Sequence, residues 1–398
     1  MTQNITSVPK QVRSINPAGV FLNRYGSFAF VACYAIMPLY NWVSAIAIIL
    51  SILLISRKPT FLETVFLCSF LVAVIFYYLV GGDQQMPHSM DMFEGIKRIV
   101  VTCGVLSPLF LVRRRISLMA IEALCYGIIF ESVYIVLYTF KNDPVLFIGR
   151  QLLLPGTEII LNSPGVVNAT VLATGLLVII MQRFVITWIA LVVSLTISIL
   201  LVNRTGILLS MTFILVALYM RYKDFKFSQL KRINWKFVFL VYGATIAFAL
   251  NTTKMQGEIF YSNYDSIITR FESEGIESER FEMQKDGLSG LLSGEKPWGG
   301  RQVKVGDSIW YHNAFLDAYR VSGLPGFILM ASVVMVSLLE VLRKRKLFLL
   351  LLWFTSFSVV MSSVVFEGLF IEFASTFIIF CIPFFLETNT VRKAFIDR

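Results

Sequence analysis

The feature that most constrains this chain is the length of its apolar blocks, which run roughly 16 to 24 residues, enough helix to span a bilayer core of about 30 Å. Hydrophobic residues make up 57% of the 398 positions and charged residues only 15%. The expected fold class is therefore an all-α polytopic membrane protein, with about twelve transmembrane helices and one large loop between the ninth and the tenth. Residues 1–24 read as a cytoplasmic tail, 25–250 as the first nine spans, 251–322 as the loop, 323–386 as the last three spans and 387–398 as a second cytoplasmic tail. The first tail carries Lys10, Arg13 and Arg24 and lacks the apolar core and small-residue site of a cleaved leader. The stretch Tyr25 to Ser56 is too long for one span and breaks at Pro38-Leu39-Tyr40-Asn41, which predicts two helices and a tight turn.

Charge sets the orientation. The net charge of +10 comes with basic clusters at the ends of apolar blocks: Arg57-Lys58, Arg113-Arg114-Arg115, Arg221 to Arg232, and Arg343-Lys344-Arg345-Lys346. That distribution orients membrane proteins with their basic loops inside and is not a nucleic-acid footprint, so no nucleic-acid partner is expected. Both termini then lie in the cytoplasm and the loop on the far side of the membrane. Arg204 in Asn203-Arg204-Thr205-Gly206, and the pair Lys97-Arg98, fall at outer helix ends. They either snorkel to lipid headgroups or hold an anion at the outer leaflet.

All five cysteines sit inside apolar blocks, which argues against a disulfide framework or a metal cluster. No Asp-x-Asp pair occurs and the Pro38–Asn41 turn carries no carboxylate, so neither metal nor cofactor is expected. The segment around His88 has soft-ligand residue types but no second cluster. Glu131 and Glu372 inside apolar blocks keep a transporter reading open, since buried acids often mark ion paths, although no inverted repeat is visible.

The polar loop is where chemistry can happen. Ser278 is a good N-cap for a helix with Phe281, Leu288, Leu291 and Leu292 as its apolar face, ending at Ser293-Gly294-Glu295-Lys296-Pro297-Trp298-Gly299-Gly300. Arg280 opens that helix among Glu274, Glu277, Glu279 and Glu282, as either a surface ion pair or a functional cation. Farther on, His312, Leu316 and Tyr319 share one face of a second short helix, with Asn313, Asp317 and Arg320 on a polar face, which predicts a helix lying at the membrane surface. The free N–H groups at its start disfavour a charged imidazole on His312, and a neutral imidazole can accept a proton.

Taken in order, Asn203-Arg204-Thr205-Gly206, Arg280 with the Pro297-Trp298-Gly299-Gly300 turn, and His312-Asn313 followed by Gly323 resemble the motifs of the O-antigen ligase and O-antigen polymerase superfamily of bacterial envelope glycosyltransferases. The turn is shorter than the family's usual one. The resemblance implies a GT-C-like scaffold in the bacterial inner membrane, both termini cytoplasmic, with a periplasmic active site and no metal. It further implies a glycan donor linked through a diphosphate to undecaprenol, and as acceptor either lipid A–core oligosaccharide, for a ligase, or another lipid-linked repeat unit, for a polymerase. The compact loop and basic outer surface favour a ligase. Arginine's planar fork matches phosphate oxygens, so Arg204 and Arg280 would hold the diphosphate, joined by Asn313, Lys97 and Arg98 as substrate-binding residues. His312 would take the proton of the acceptor hydroxyl in a displacement that inverts the anomeric centre.

Overall fold

The computed structural model describes residues 17–80, 92–147, 150–156, 160–180, 184–201, 203–223, 279–305, 310–362 and 370–386. It is a bundle of helices with a single two-stranded hairpin among the described residues. Helices α1 (Pro17–Ile36) and α2 (Val43–Leu53) are joined by the turn that Pro38 to Asn41 announces. They are followed by α3 (Phe61–Ile75), which ends in a π-helical turn (Phe76–Val80), by α4 (Met92–Leu111) and by α5 (Arg114–Asn142). The hairpin β1 (Gln151–Leu153) and β2 (Ile160–Asn162) leads into α6 (Ser163–Ile180), α7 (Phe184–Leu200) and α8 (Arg204–Lys223). Then come α9 (Glu279–Ser293), α10 (Ala314–Lys344), α11 (Leu347–Val360) and α12 (Phe370–Phe385). Four helical stretches, Phe61–Leu79, Arg114–Asn142, Ser163–Ile180 and Ala314–Lys344, are long and apolar enough to cross a membrane. The ninth expected span, Phe237 to Leu250, lies outside the described residues, as do His88 and the basic cluster from Lys226 to Arg232.

The bundle has one basic end. The start of α3 is fixed by a capping box, in which Thr60 N donates to Glu63 Oε2 at 2.7 Å and Glu63 N to the Thr60 hydroxyl at 3.4 Å. Glu63 is also buried against the Arg57 guanidinium, with Arg114 3.9 Å away. Ser56 N donates to the Leu111 carbonyl, and Phe110 packs on Phe384 and Phe385, so the ends of α4 and α12 meet the starts of α3 and α5. Glu63 thereby neutralises part of a cluster that charge patterning alone reads as purely cationic, as the buried Glu340 does for Arg343 and Lys344.

Close approach of helices depends on missing side chains. A Cβ on Gly127 of α5 would come within about van der Waals overlap of Pro38 and the Ala35 carbonyl carbon, at 3.0 and 3.1 Å. Helix α6 is the axis of the bundle, 83% buried along its apolar window against 39% for the candidate spans formed by α3 and α10. That explains why its sequence is apolar or small on every face, with no polar stripe turned outward.

At the other end, Leu153 N donates to the Thr139 hydroxyl at 2.8 Å and Ser163 N to the Arg150 carbonyl. The hairpin strands, paired in register Gln151↔Asn162, thus sit over the end of α5. The junction of α7 and α8 lies at this end too, because Gly206 packs on Val167 near the start of α6 and on Ser198.

Candidate functional site

The loop end is assembled around the break in α10. Gly323 takes φ 70° and ψ −158°, which splits the helix into 314–322 and 324–344, and Pro325 follows with its φ already suited to a first turn. The Pro297-Trp298-Gly299-Gly300 turn docks into this break: Gly300 N and Arg301 N donate to the Arg320 carbonyl at 2.9 and 3.2 Å, and Leu324 N donates to the Pro297 carbonyl at 2.8 Å. Carbonyls and N–H groups freed by the kink are satisfied by the loop, which fixes where the loop sits.

Arg301, which no spacing pattern singles out, is the centre of the loop's polar core. It is 2% exposed, and its guanidinium meets Asp286 Oδ1 at 2.8 Å, Glu295 Oε2 at 3.2 Å and the Tyr311 hydroxyl. Hydrogen bonds from Lys304 and Arg301 hold the Glu295 carboxyl below its ordinary range. Gly290 makes room for this arginine, since a Cβ there would lie 2.7 Å from Nη2. The only sequence signal for such a hub is the combination of two acids and a tyrosine within one loop, and it is too common to select Arg301.

Helix α9 forms where expected, but most of the apolar face is turned outward. Phe281, Leu288 and Leu292 are exposed and only Leu291 packs on the Met283, Tyr311 and Leu316 cluster, while Gly287 is buried against Tyr311 and Leu316 and Gly290 against Arg301. Small residues won the interior because the approach to Tyr311 and Arg301 leaves no room for leucine. The Ser278 cap lies outside the described residues, as do Glu274 and Glu277.

The short helix 314–322 forms as expected, yet it does not lie on a surface. Asn313, Asp317 and Arg320 are 3%, 1% and 3% exposed, so the polar face is turned inward. Asn313 is the N-cap, its Oδ1 accepting from Phe315 N and Leu316 N, and its amide nitrogen stands 3.6 Å from Met361 Sδ. His312 precedes the cap and stands outside the helix, half-buried, at φ 52°. Its pKa is pushed down to about 4, first by burial and then by the Arg280 guanidinium. The imidazole is therefore neutral, and burial, more than the helix terminus, is the main reason.

Arg280 is exposed at the start of α9, with Nη1 in a long 3.5 Å hydrogen bond to the Ser362 carbonyl at the end of α11. One turn on, Gln284 Nε2 donates to the His312 carbonyl at 3.3 Å and to the Met361 carbonyl at 3.2 Å. The structure thus brings Arg280, His312 and Asn313 together, with Gln284 as a link that the sequence did not mark.

The other candidates stand at the same end on different helices. In the Asn203-Arg204-Thr205-Gly206 stretch, Asn203 Oδ1 accepts from Gly206 N at 2.8 Å and caps α8, while Gly206 lets α8 approach Ser198. Two of the four residues thus have structural work, and Arg204 is placed at the first position of α8; its side chain lies outside the described part of the structure. Lys97 is exposed and Arg98 half-buried near the start of α4, the Arg98 guanidinium 5.7 Å from the Tyr78 ring centroid. An apolar hollow of about 440 Å³, lined by Val72, Phe76, Pro297, Trp298, Leu324 and Ile328 among others, opens beside the docked turn.

Among the described residues no three His, Cys, Asp or Glu side chains converge to hold a metal ion. Glu131 lies within α5, and the Glu372 side chain lies outside the described part. No protein-family model matches the chain, and no curated protein matches it.

Proposed function

We propose that this chain is an O-antigen ligase of the bacterial inner membrane, transferring a glycan from undecaprenyl diphosphate to lipid A–core oligosaccharide at the periplasmic face. The observation that carries this reading is the pairing of a neutral, half-buried His312 with a solvent-facing Arg280 at the loop end of an apolar bundle. A diphosphate at a membrane surface needs fixed cations, and Arg280, with Arg204, Lys97 and Arg98 at the same end, supplies them. The apolar hollow beside Trp298 suits an isoprenoid chain.

In this reaction the acceptor hydroxyl oxygen attacks the anomeric carbon from the face opposite the diphosphate. The bond from carbon to phosphate oxygen breaks, its electron pair leaves with the diphosphate, and the hydroxyl proton passes to the His312 imidazole. Charge grows on the leaving group as the bond lengthens, so the arginines stabilise the transition state more than the ground state. A bound diphosphate also offsets the Arg280 charge that lowers the imidazole pKa, which makes His312 a better base once the donor is present. No metal is required for these steps.

The same reading divides the chain into about twelve spans with both termini in the cytoplasm. Reporters fused after Lys58, Arg115 and Lys346 then read cytoplasmic and one after Lys304 periplasmic; a cytoplasmic Lys304 fusion would place the site on the wrong side for the donor.

The decisive experiment is the lipopolysaccharide banding pattern of a deletion strain. Loss of every ladder band with core intact is the expected result. Survival of a single capped repeat would instead make the enzyme a polymerase joining lipid-linked repeats, and loss of the ladder with precursor stranded on the inner leaflet would make it a transporter.

A further inference from the structure

The two backbone N–H groups that flank His312 both end on one carboxylate. Tyr311 N donates to Asp317 Oδ1 at 2.9 Å and Asn313 N to Asp317 Oδ2 at 3.2 Å. Between these bonds His312 holds φ 52°, a conformation that L residues rarely adopt and that persists where surroundings impose it. Asp317 is 1% exposed, and Arg320 Nε stands 3.8 Å from its Oδ1. The Arg320 guanidinium lies 4.3 Å from the Trp310 ring centroid, so the cation facing Asp317 is itself held by the residue that precedes Tyr311.

Helix capping accounts for only part of this. The cap of the short helix is already supplied by the Asn313 side chain, and a carboxylate reaching back to the cap residue's own N–H would satisfy Asn313 N alone. The bond to Tyr311 N lies two residues before the N-cap and contributes nothing to the helix. What the pair of bonds does fix is the 310–311 peptide and the 312–313 peptide, which bracket Tyr311 and His312, and Gln284 Nε2 fixes the His312 carbonyl from α9.

We propose that Asp317 is the positioning residue for His312, its two carboxylate oxygens clamping the chain on either side of the imidazole while Arg320, stacked on Trp310, holds that carboxylate in place. The proposal rests on His312 serving as the base. Positioning of this kind governs the rate of the chemical step more than donor affinity, because small displacements of a base from the acceptor proton are felt in the transition state.

The test uses the full-length protein in detergent or nanodiscs, with undecaprenyl diphosphate-linked glycan as donor and lipid A–core as acceptor. Asp317→Asn keeps the shape and removes one of the two acceptors; Asp317→Asn with Arg320→Met also keeps the charges balanced. We expect kcat to fall at least about tenfold in both, with the donor KM changed less than about twofold. Recovery of kcat to within about twofold of the parent in the double variant would reduce Asp317 to a charge partner for Arg320 and overturn the proposal. If the asparagine variants do not accumulate, Asp317→Glu, which keeps the charge but displaces the oxygens, is read the same way, and a parental kcat overturns the proposal. His312→Ala is measured beside them: a parental rate there overturns both the base assignment and the clamp, whereas an inactive His312→Ala beside a fully active Asp317→Asn overturns the clamp alone.

Discussion

Gly299 and Gly323 interlock: each has positive φ, and a Cβ built on Gly323 would lie 2.5 Å from Gly299 N, while one on Gly299 would lie 2.8 Å from the Val321 carbonyl carbon and 3.1 Å from Gly323 N. The polar loop and the long membrane-type helix are therefore joined backbone to backbone, with no side chain between them. Gly299→Ala or Gly323→Ala should each combine left-handed strain of about 1–3 kcal/mol with a main-chain clash, and so undock the loop. Gly294→Ala is the control, since φ there is 67° but nothing lies within 4 Å of the added carbon. Thermal unfolding of the purified protein and transfer activity check this; equal effects at all three positions would show that backbone strain alone matters.

His312→Ala should insert normally and bind donor, yet transfer glycan at least about a hundredfold more slowly, the usual share of general-base catalysis. His88→Ala, which replaces the other of the two histidines, should match the parent. Parental transfer by His312→Ala would remove the base assignment.

The pH dependence follows from the pKa of about 4. A base works when neutral, so kcat/KM of the parent should rise with pH through about 4 and be flat well below the ordinary imidazole range. Replacing Arg280 by Gln removes the second cause of the depression and should move that limb to higher pH, while burial keeps it below the ordinary value of 6.5. Stability has the matching sign: a depressed histidine pKa favours the fold above the unfolded value, and that contribution is lost as pH falls from 6.5 towards 4. A limb that stays put in Arg280→Gln would separate the two residues electrostatically.

Arg280→Ala should cost on the order of 3 kcal/mol of transition-state stabilisation, roughly a hundredfold in kcat/KM. Lysine should restore only part, because it carries charge without the planar fork. Complete rescue by lysine in steady-state assays would mean that the diphosphate is held by charge alone.

Arg301→Met should destabilise without touching the reacting groups. It leaves the Asp286 carboxylate and the Tyr311 hydroxyl without their cation, a loss of about 3–5 kcal/mol for a broken buried pair. A lowered unfolding midpoint, with residual activity per folded molecule retained, is the expected result. Unchanged stability would show that water replaces the guanidinium.

Excess chelator should leave turnover close to that with magnesium, since no Asp-x-Asp pair occurs in the chain. Restoration only by added divalent ion would show that the chain holds a metal.

Much of the architecture was determined by the sequence, because hydrophobic block length and turn chemistry act locally. The break at Pro38 to Asn41, the helix ending at Ser293 and the short helix after Asn313 are all local signals, and all form. Tertiary structure decided which faces are buried. Phe281, Leu288 and Leu292 point outward and Asp317 and Arg320 inward because glycines at 287, 290, 299 and 323 let backbone and guanidinium groups approach where apolar side chains would not fit. Periodicity records that a helix has two faces; which one is interior depends on what the rest of the chain brings against it. The hub at Arg301 and the clamp at Asp317 are of that kind, since each gains its meaning only from partners that folding carries to it.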